Sequence, residues 1–107
     1  MSMVDNDTPQ WRVDFTRKAE KQALALPESI YDTLAVLKRE IEYEGPVQAE
    51  WYHYSVLKGK KGEYHHCHLN KGKPRYVAVW EVVKNTVRLV EIRFVGTHEA
   101  VNYRQFK

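Results

Sequence analysis

The chain has 107 residues, 43% hydrophobic, with 17 Lys and Arg against 14 Asp and Glu and a formal net charge of +3. This describes one globular domain: the hydrophobic share excludes a disordered chain, and no apolar run nears the roughly 18 residues that a membrane span needs. A single cysteine cannot form an internal disulfide, and the polar start MSMVDNDTPQ has neither the basic nor the apolar region of a signal peptide, so a cytoplasmic protein is expected.

Residues 1–10 read as a flexible N-terminal segment and 11–107 as a single domain. Trp11, Val13 and Phe15 alternate with Arg12 and Asp14, the pattern of a half-buried strand. Thr16 follows as a helix N-cap. Ala19, Gln22, Ala23 and Leu26 then fall on one helical face, and Pro27 fits the first turn of a second helix. Along that helix Ile30, Leu34, Leu37 and Ile41 form an apolar stripe, and Gly45 and Pro46 end it. Two antiparallel helices joined at a proline make a hairpin.

Residues 46–62, PVQAEWYHYSVLKGKKG, are expected to be irregular. Three strands follow: YHHCHL at 64–69, RYVAVWEVV at 75–83 and TVRLVEIRFV at 86–95, separated by the turns NKGK and KN. The middle one is apolar on both faces, so it is central and Trp80 belongs to the core. The order defines an α+β domain: an N-terminal strand, a two-helix hairpin, then a three-stranded antiparallel sheet with the helices on one face.

His65, His66, Cys67 and His68 are consecutive. Strand neighbours point to opposite faces. His65, Cys67 and Leu69 therefore share one face, and Tyr64, His66 and His68 the other. Cys67 and Leu69 are the natural core side, which puts His66 and His68 away from the helices. This split leaves no four converging ligands, and there is no second cysteine, so no metal site is expected. The plainest alternative is two surface histidines on an open sheet face.

Three features weigh against that alternative. Lys58, Lys60, Lys61, Lys71, Lys73 and Arg75 flank the histidines, whereas acidic residues gather between Glu28 and Glu50. His98 follows the last strand, where its loop can fold back. Arg93 alternates with Glu91 and Leu89 towards the same surface. Together these are the parts of a metal-independent ribonuclease. Histidine exchanges protons near neutral pH, Arg and Lys hold phosphate, and Tyr76 or Tyr103 can stack bases.

The stretches WRVDFTRKAEKQ, LPESIYDTLAVLKREIE, LKGKKGEYHHCHLNKGKPRYVAVW and VRLVEIRFVGTHEAVNY cover nearly all of residues 11–103. In this order they resemble the RelE/ParE toxin superfamily of bacterial toxin–antitoxin modules. The resemblance implies a β-α-α-β-β-β fold and a ribosome-dependent endoribonuclease that cuts mRNA in the A site by attack of the RNA 2′-hydroxyl. It implies no metal or cofactor, a cognate antitoxin as partner, and operator DNA binding of the complex through that antitoxin. No membrane is involved. The antitoxin is expected across the basic half or along the hairpin, which is acidic around Glu40, Glu42 and Glu44.

The family's Lys-x-Lys-Leu strand is similar to His66-Cys67-His68-Leu69 here, a histidine version. Arg75 resembles the basic residue opening the next strand, with Tyr76 beside it. Gly-Thr-His places a functional histidine at His98, Tyr103 resembles the aromatic that follows, and His53 is similar to a loop histidine of the histidine-using branch. On this pattern His68 is the base and His98 the acid, or the reverse, with His66 and Tyr103 beside them. Arg93 and Lys58 carry the phosphate charge, and the lysines from Lys58 to Lys73, with Arg75 and Tyr76, bind RNA. The superfamily also contains gyrase-poisoning members that do not cut RNA. The alternative is therefore a non-catalytic toxin or an antitoxin-binding module, in which the hairpin surface matters and the histidines do not.

Overall fold

Thr16 caps the first helix. Its hydroxyl accepts the Ala19 N–H at 3.1 Å, satisfying one of the backbone donors that a helix start leaves open. In this computed structural model, which describes residues 8–57 and 62–106, α1 spans Arg17–Leu24 and buries Ala19 and Ala23. The second helix, α2, spans Glu28–Glu44 and buries Ile30, Leu34, Leu37 and Ile41, the stripe expected from the sequence. Gly45 stops it at φ +100°, donating its N–H to the Ile41 carbonyl at 2.8 Å. A side chain there would be strained and would also meet the Trp11 ring.

Among the described residues the sheet has five strands: β1 (Arg12–Phe15), β2 (Ser55–Leu57), β3 (Glu63–His68), β4 (Tyr76–Lys84) and β5 (Leu89–Thr97), in the order β1-β5-β4-β3-β2. The α+β class holds, and β3, β4 and β5 are antiparallel as expected. The expected three-stranded sheet is corrected at both edges. β1 joins it parallel to β5, Val13 opposite Val90. β2 lies within the stretch expected to be irregular and pairs with β3, Ser55 opposite His66. A strand of three residues is too short for an alternation to be visible.

The helices cover one face. Their buried residues meet Cys67, Leu69, Ala78, Trp80, Val90, Ile92 and Val95. Trp80 is fully buried and donates its indole N–H to the Pro46 carbonyl at 3.0 Å. The outer face, expected to be open, carries a second, smaller core of Leu57, Tyr64, Val77, Val79, Phe94 and Phe106. Phe106 arrives on a short 3-10 helix, Tyr103–Phe106, and sets its ring centre 5.2 Å from that of Tyr64. A bulge sets the phase of β5: Val79 faces Phe94 and Trp80 faces Ile92, so Arg93 is the extra residue. One inserted residue flips the alternation, sending Phe94 outward and Val95 inward. Among the described residues no helix is long and apolar enough to cross a membrane.

Candidate active site

The register places the outward histidines at one end of β3. His68, Val77 and Gly96 form one row across β3, β4 and β5, and His66, Val79 and Phe94 form the row two residues along. Three further segments converge on that end. The loop before β2 lies along β3, because the His68 N–H donates to the Tyr52 carbonyl at 2.8 Å, and this brings in His53. The exit of β5 is held by the His98 N–H donating to the Arg75 carbonyl at 2.7 Å. The C-terminal 3-10 helix supplies Tyr103.

His68 is the hub. Its ring centre lies 4.5 Å from that of His53, 5.4 Å from His98, 6.3 Å from His66 and 6.0 Å from Tyr52. Tyr103 stands 5.3 Å from His66 and 6.4 Å from His98. Four of the five histidines thus share one cluster. His66 Nδ1 lies 3.0 Å from the Ser55 hydroxyl, while His98 and Arg75 are exposed. Lys71 sets its ammonium 5.0 Å from the centre of the Tyr52 ring, a cation–π contact. Lys73, Pro74, Arg75 and Glu99 line a depression adjoining His98.

The electrostatics follow from this crowding. Burial, reinforced by His53, His98, His66 and Arg75, pushes the His68 pKa down to about 4. His68 is therefore a neutral imidazole at pH 7. Burial also raises the Tyr103 pKa, so its phenol stays a hydrogen-bond donor. Two buried polar atoms, His68 Nδ1 and the Tyr103 hydroxyl, have no protein partner among the described residues. Unpaired buried polar groups are costly, and where they occur together in a native fold they point to a ligand.

The structure brings together His66, His68, His98, Tyr103 and Arg75 from the sequence-derived set. Lys71 stands at the edge of the cluster, Lys73 lines the depression beside it, and Lys58, Lys60 and Lys61 lie outside the described residues. Two members of the set lie elsewhere. Arg93 does share the outer face, but it donates to Glu81 at 3.0 Å and Glu91 at 2.8 Å, beyond the Phe94 row. Tyr76 packs against the helix-side core, because it is in phase with Ala78. Tyr52 was missed, and only the aromatic run WYHY hinted at it. His65 lies on the other face, stacked on Trp80 at 5.9 Å. Among the described residues no group of three or more His, Cys, Asp or Glu is set to hold a metal ion.

A helical hairpin on one face of a mixed five-stranded sheet, with β1 parallel to β5, is the fold of RelE-type toxins. Solved structures similar to this chain include the archaeal RelE–RelB complex from Pyrococcus horikoshii OT3, at 19% identity and TM-score 0.69 over 86% of this chain and 99% of that one. A metal-bound toxin from Helicobacter pylori matches at 18% identity and TM-score 0.63, over 86% and 99%. A double arginine-to-alanine mutant of E. coli RelE in the free state matches at 18% and 0.62, over 90% and 92%. No family model matches the sequence, and no curated protein matches it.

Proposed function

We propose that this chain is the toxin of a toxin–antitoxin pair and acts as a ribosome-dependent mRNA endoribonuclease without a metal cofactor. The observation that carries the reading is the gathering of His53, His66 and His98 around a buried, neutral His68, with Arg75 and Tyr103 at its margin. Neutral His68 takes the proton of an RNA 2′-hydroxyl. The freed oxygen attacks the adjacent phosphorus, and the bond from phosphorus to the 5′-oxygen breaks. His98 is the general acid and gives a proton to that leaving oxygen. The products are a 2′,3′-cyclic phosphate and a free 5′-hydroxyl. Arg75 takes the place first assigned to Arg93, because its charge acts on His68 and it can neutralise the non-bridging oxygens. Tyr103 adds a phenolic donor, and Tyr52 with Lys71 offers a stacking platform at the entrance.

The antitoxin is proposed to occupy the other side of the molecule. Between the two helices a groove lined by Phe15, Ala23, Leu24, Tyr31, Leu34 and Ala35 leaves Leu24 75% exposed, an apolar surface suited to an amphipathic helix.

Induced expression followed by mapping of mRNA 5′ ends tests the enzyme reading. Cuts at defined positions within codons of translated regions are expected, and they should vanish in His68→Ala and His98→Ala. Intact mRNA with broken or stalled DNA would instead establish the gyrase-poisoning alternative.

A further inference from the structure

His65 is the one histidine outside the cluster, yet both of its ring nitrogens are bonded. It is 1% exposed. Its Nε2 lies 2.7 Å from a Glu63 carboxylate oxygen, and its Nδ1 2.6 Å from the Tyr54 hydroxyl. A carboxylate only accepts. In the neutral ring Nε2–H therefore donates to Glu63, leaving Nδ1 to accept from Tyr54. Burial raises the Tyr54 pKa, so that proton stays available. The ring lies nearly parallel to Trp80, at 8°, which fixes its plane.

Tyr54 follows His53 directly, and His53 has a left-handed backbone, φ +54°. A non-glycine residue holds that conformation only where its surroundings over-determine it. The surroundings here are bonds on both sides of His53. Before it, the Tyr52 carbonyl accepts the His68 N–H at 2.8 Å. After it, the Tyr54 hydroxyl is fastened to His65, and the Tyr54 N–H donates to the Trp51 carbonyl at 3.1 Å. Trp51 in turn donates its indole N–H to Glu40 on α2 at 2.7 Å. The loop is thus anchored on the helix face, while the ring of His53 reaches His68 on the outer face.

We infer that Glu63, His65 and Tyr54 form a positioning chain that holds His53 in its left-handed turn and so sets the imidazole against His68 from the opposite side of the sheet. The inference rests on the proposed ribonuclease reading for its effect on rate, but the geometric part stands without it. His65 touches no substrate in this scheme and acts only through His53.

Tyr54→Phe removes one hydroxyl and leaves the ring. His65→Phe keeps an aromatic ring against Trp80 and removes both bonds. In each, the single-turnover cleavage rate on programmed ribosomes should fall about tenfold or more, with half-saturation near wild type. Exchange of the His68 amide proton, which reports its bond to Tyr52, should speed up, and the NMR ring contact between His53 and His68 should weaken. Glu63→Gln keeps an acceptor for Nε2–H and should retain at least half the wild-type rate, whereas Glu63→Ala should not. If the wild-type chain cuts no RNA, the functional reading fails, and the exchange and ring contact alone decide the positioning chain. Unchanged His68 exchange in Tyr54→Phe overturns it, as does an unchanged rate in a chain that does cut RNA.

Discussion

His68 combines three properties that rarely coincide on a strand: burial, an unpaired ring nitrogen and a crowd of basic neighbours. In the unfolded chain it takes up a proton near pH 6.5, and in the folded chain only near about 4. Between those values the unfolded state holds more protons, so stability rises with pH there. The His68 contribution is a loss of stability as pH falls from about 6.5 to about 4. We expect the thermal midpoint to drop by roughly 10 °C more in wild type than in His68→Asn over that interval. NMR titration of the His68 ring should return a value near the lower limit, and binding of an RNA phosphate analogue should raise it, since the anion offsets the neighbouring positive charges. A wild-type ring titrating near 6.5 without ligand would contradict the cluster geometry. Losing either proton-transfer group costs about 10²–10⁴ in rate. Cleavage by His68→Ala and His98→Ala should fall by that much while the fold persists, and the double variant should be little worse than the poorer single one. Arg75 and Arg93 separate the two placements of the phosphate charge. Arg75→Ala should lower cleavage about a hundredfold. Arg93→Ala should leave it within about threefold and lower stability instead, because Glu81 and Glu91 then face each other without their shared cation. Alternation in the sequence was enough to put His66, His68 and Arg93 on the outer face. It was silent on where along that face each stands, because register depends on pairing and bulges.

At the scale of elements, the legible parts were those with a period. The stripe from Ile30 to Ile41, the Thr16 cap and the doubly apolar β4 all have local causes written into consecutive residues. β2 and the bulge at Arg93 have none. Ser55–Leu57 is a strand because His66 and His65 offer it an edge, and Arg93 is extra because Phe94 packs outward with Val79 and Phe106. His53 was legible only as a loose match for the same reason: a left-handed turn and a chain of side-chain bonds place it, not a repeat. Trp80 shows how closely core and site are joined. It spans the helix-side core, supports His65 and holds the Pro46 carbonyl at the start of the loop that carries His53. Trp80→Ala should cost about 3–5 kcal/mol through cavity formation and the orphaned carbonyl, a large part of the roughly 5–15 kcal/mol that holds such a domain folded. Chemical denaturation would check it. A variant that keeps wild-type stability and loses only cleavage would place Trp80 in the RNA site and not in the core.

At the scale of the molecule, the sheet separates two surfaces. Its outer face ends in the histidine cluster, and its inner face carries the hairpin, whose apolar groove is still partly open. Leu24 at 75%, Val36 at 50% and Tyr31 at 44% exposure lie along the two helices; exposed apolar surface of this kind marks a binding site more readily than chance. No residue of the groove belongs to the cluster, so binding and cleavage should be separable by mutation. Leu24→Asp sets a charge where an apolar partner side chain would be buried. It should weaken binding of the cognate antitoxin by tenfold or more, as expected for an interface anchor, while cleavage by the free toxin stays at the wild-type rate. In cells the variant should remain toxic when the antitoxin is co-expressed at a level that protects against wild type. Calorimetric titration of purified antitoxin into each variant supplies the measurement. If affinity is unchanged in Leu24→Asp but falls when Lys71 and Lys73 are replaced by alanine, the antitoxin lies across the basic half and inhibits by covering the histidines directly.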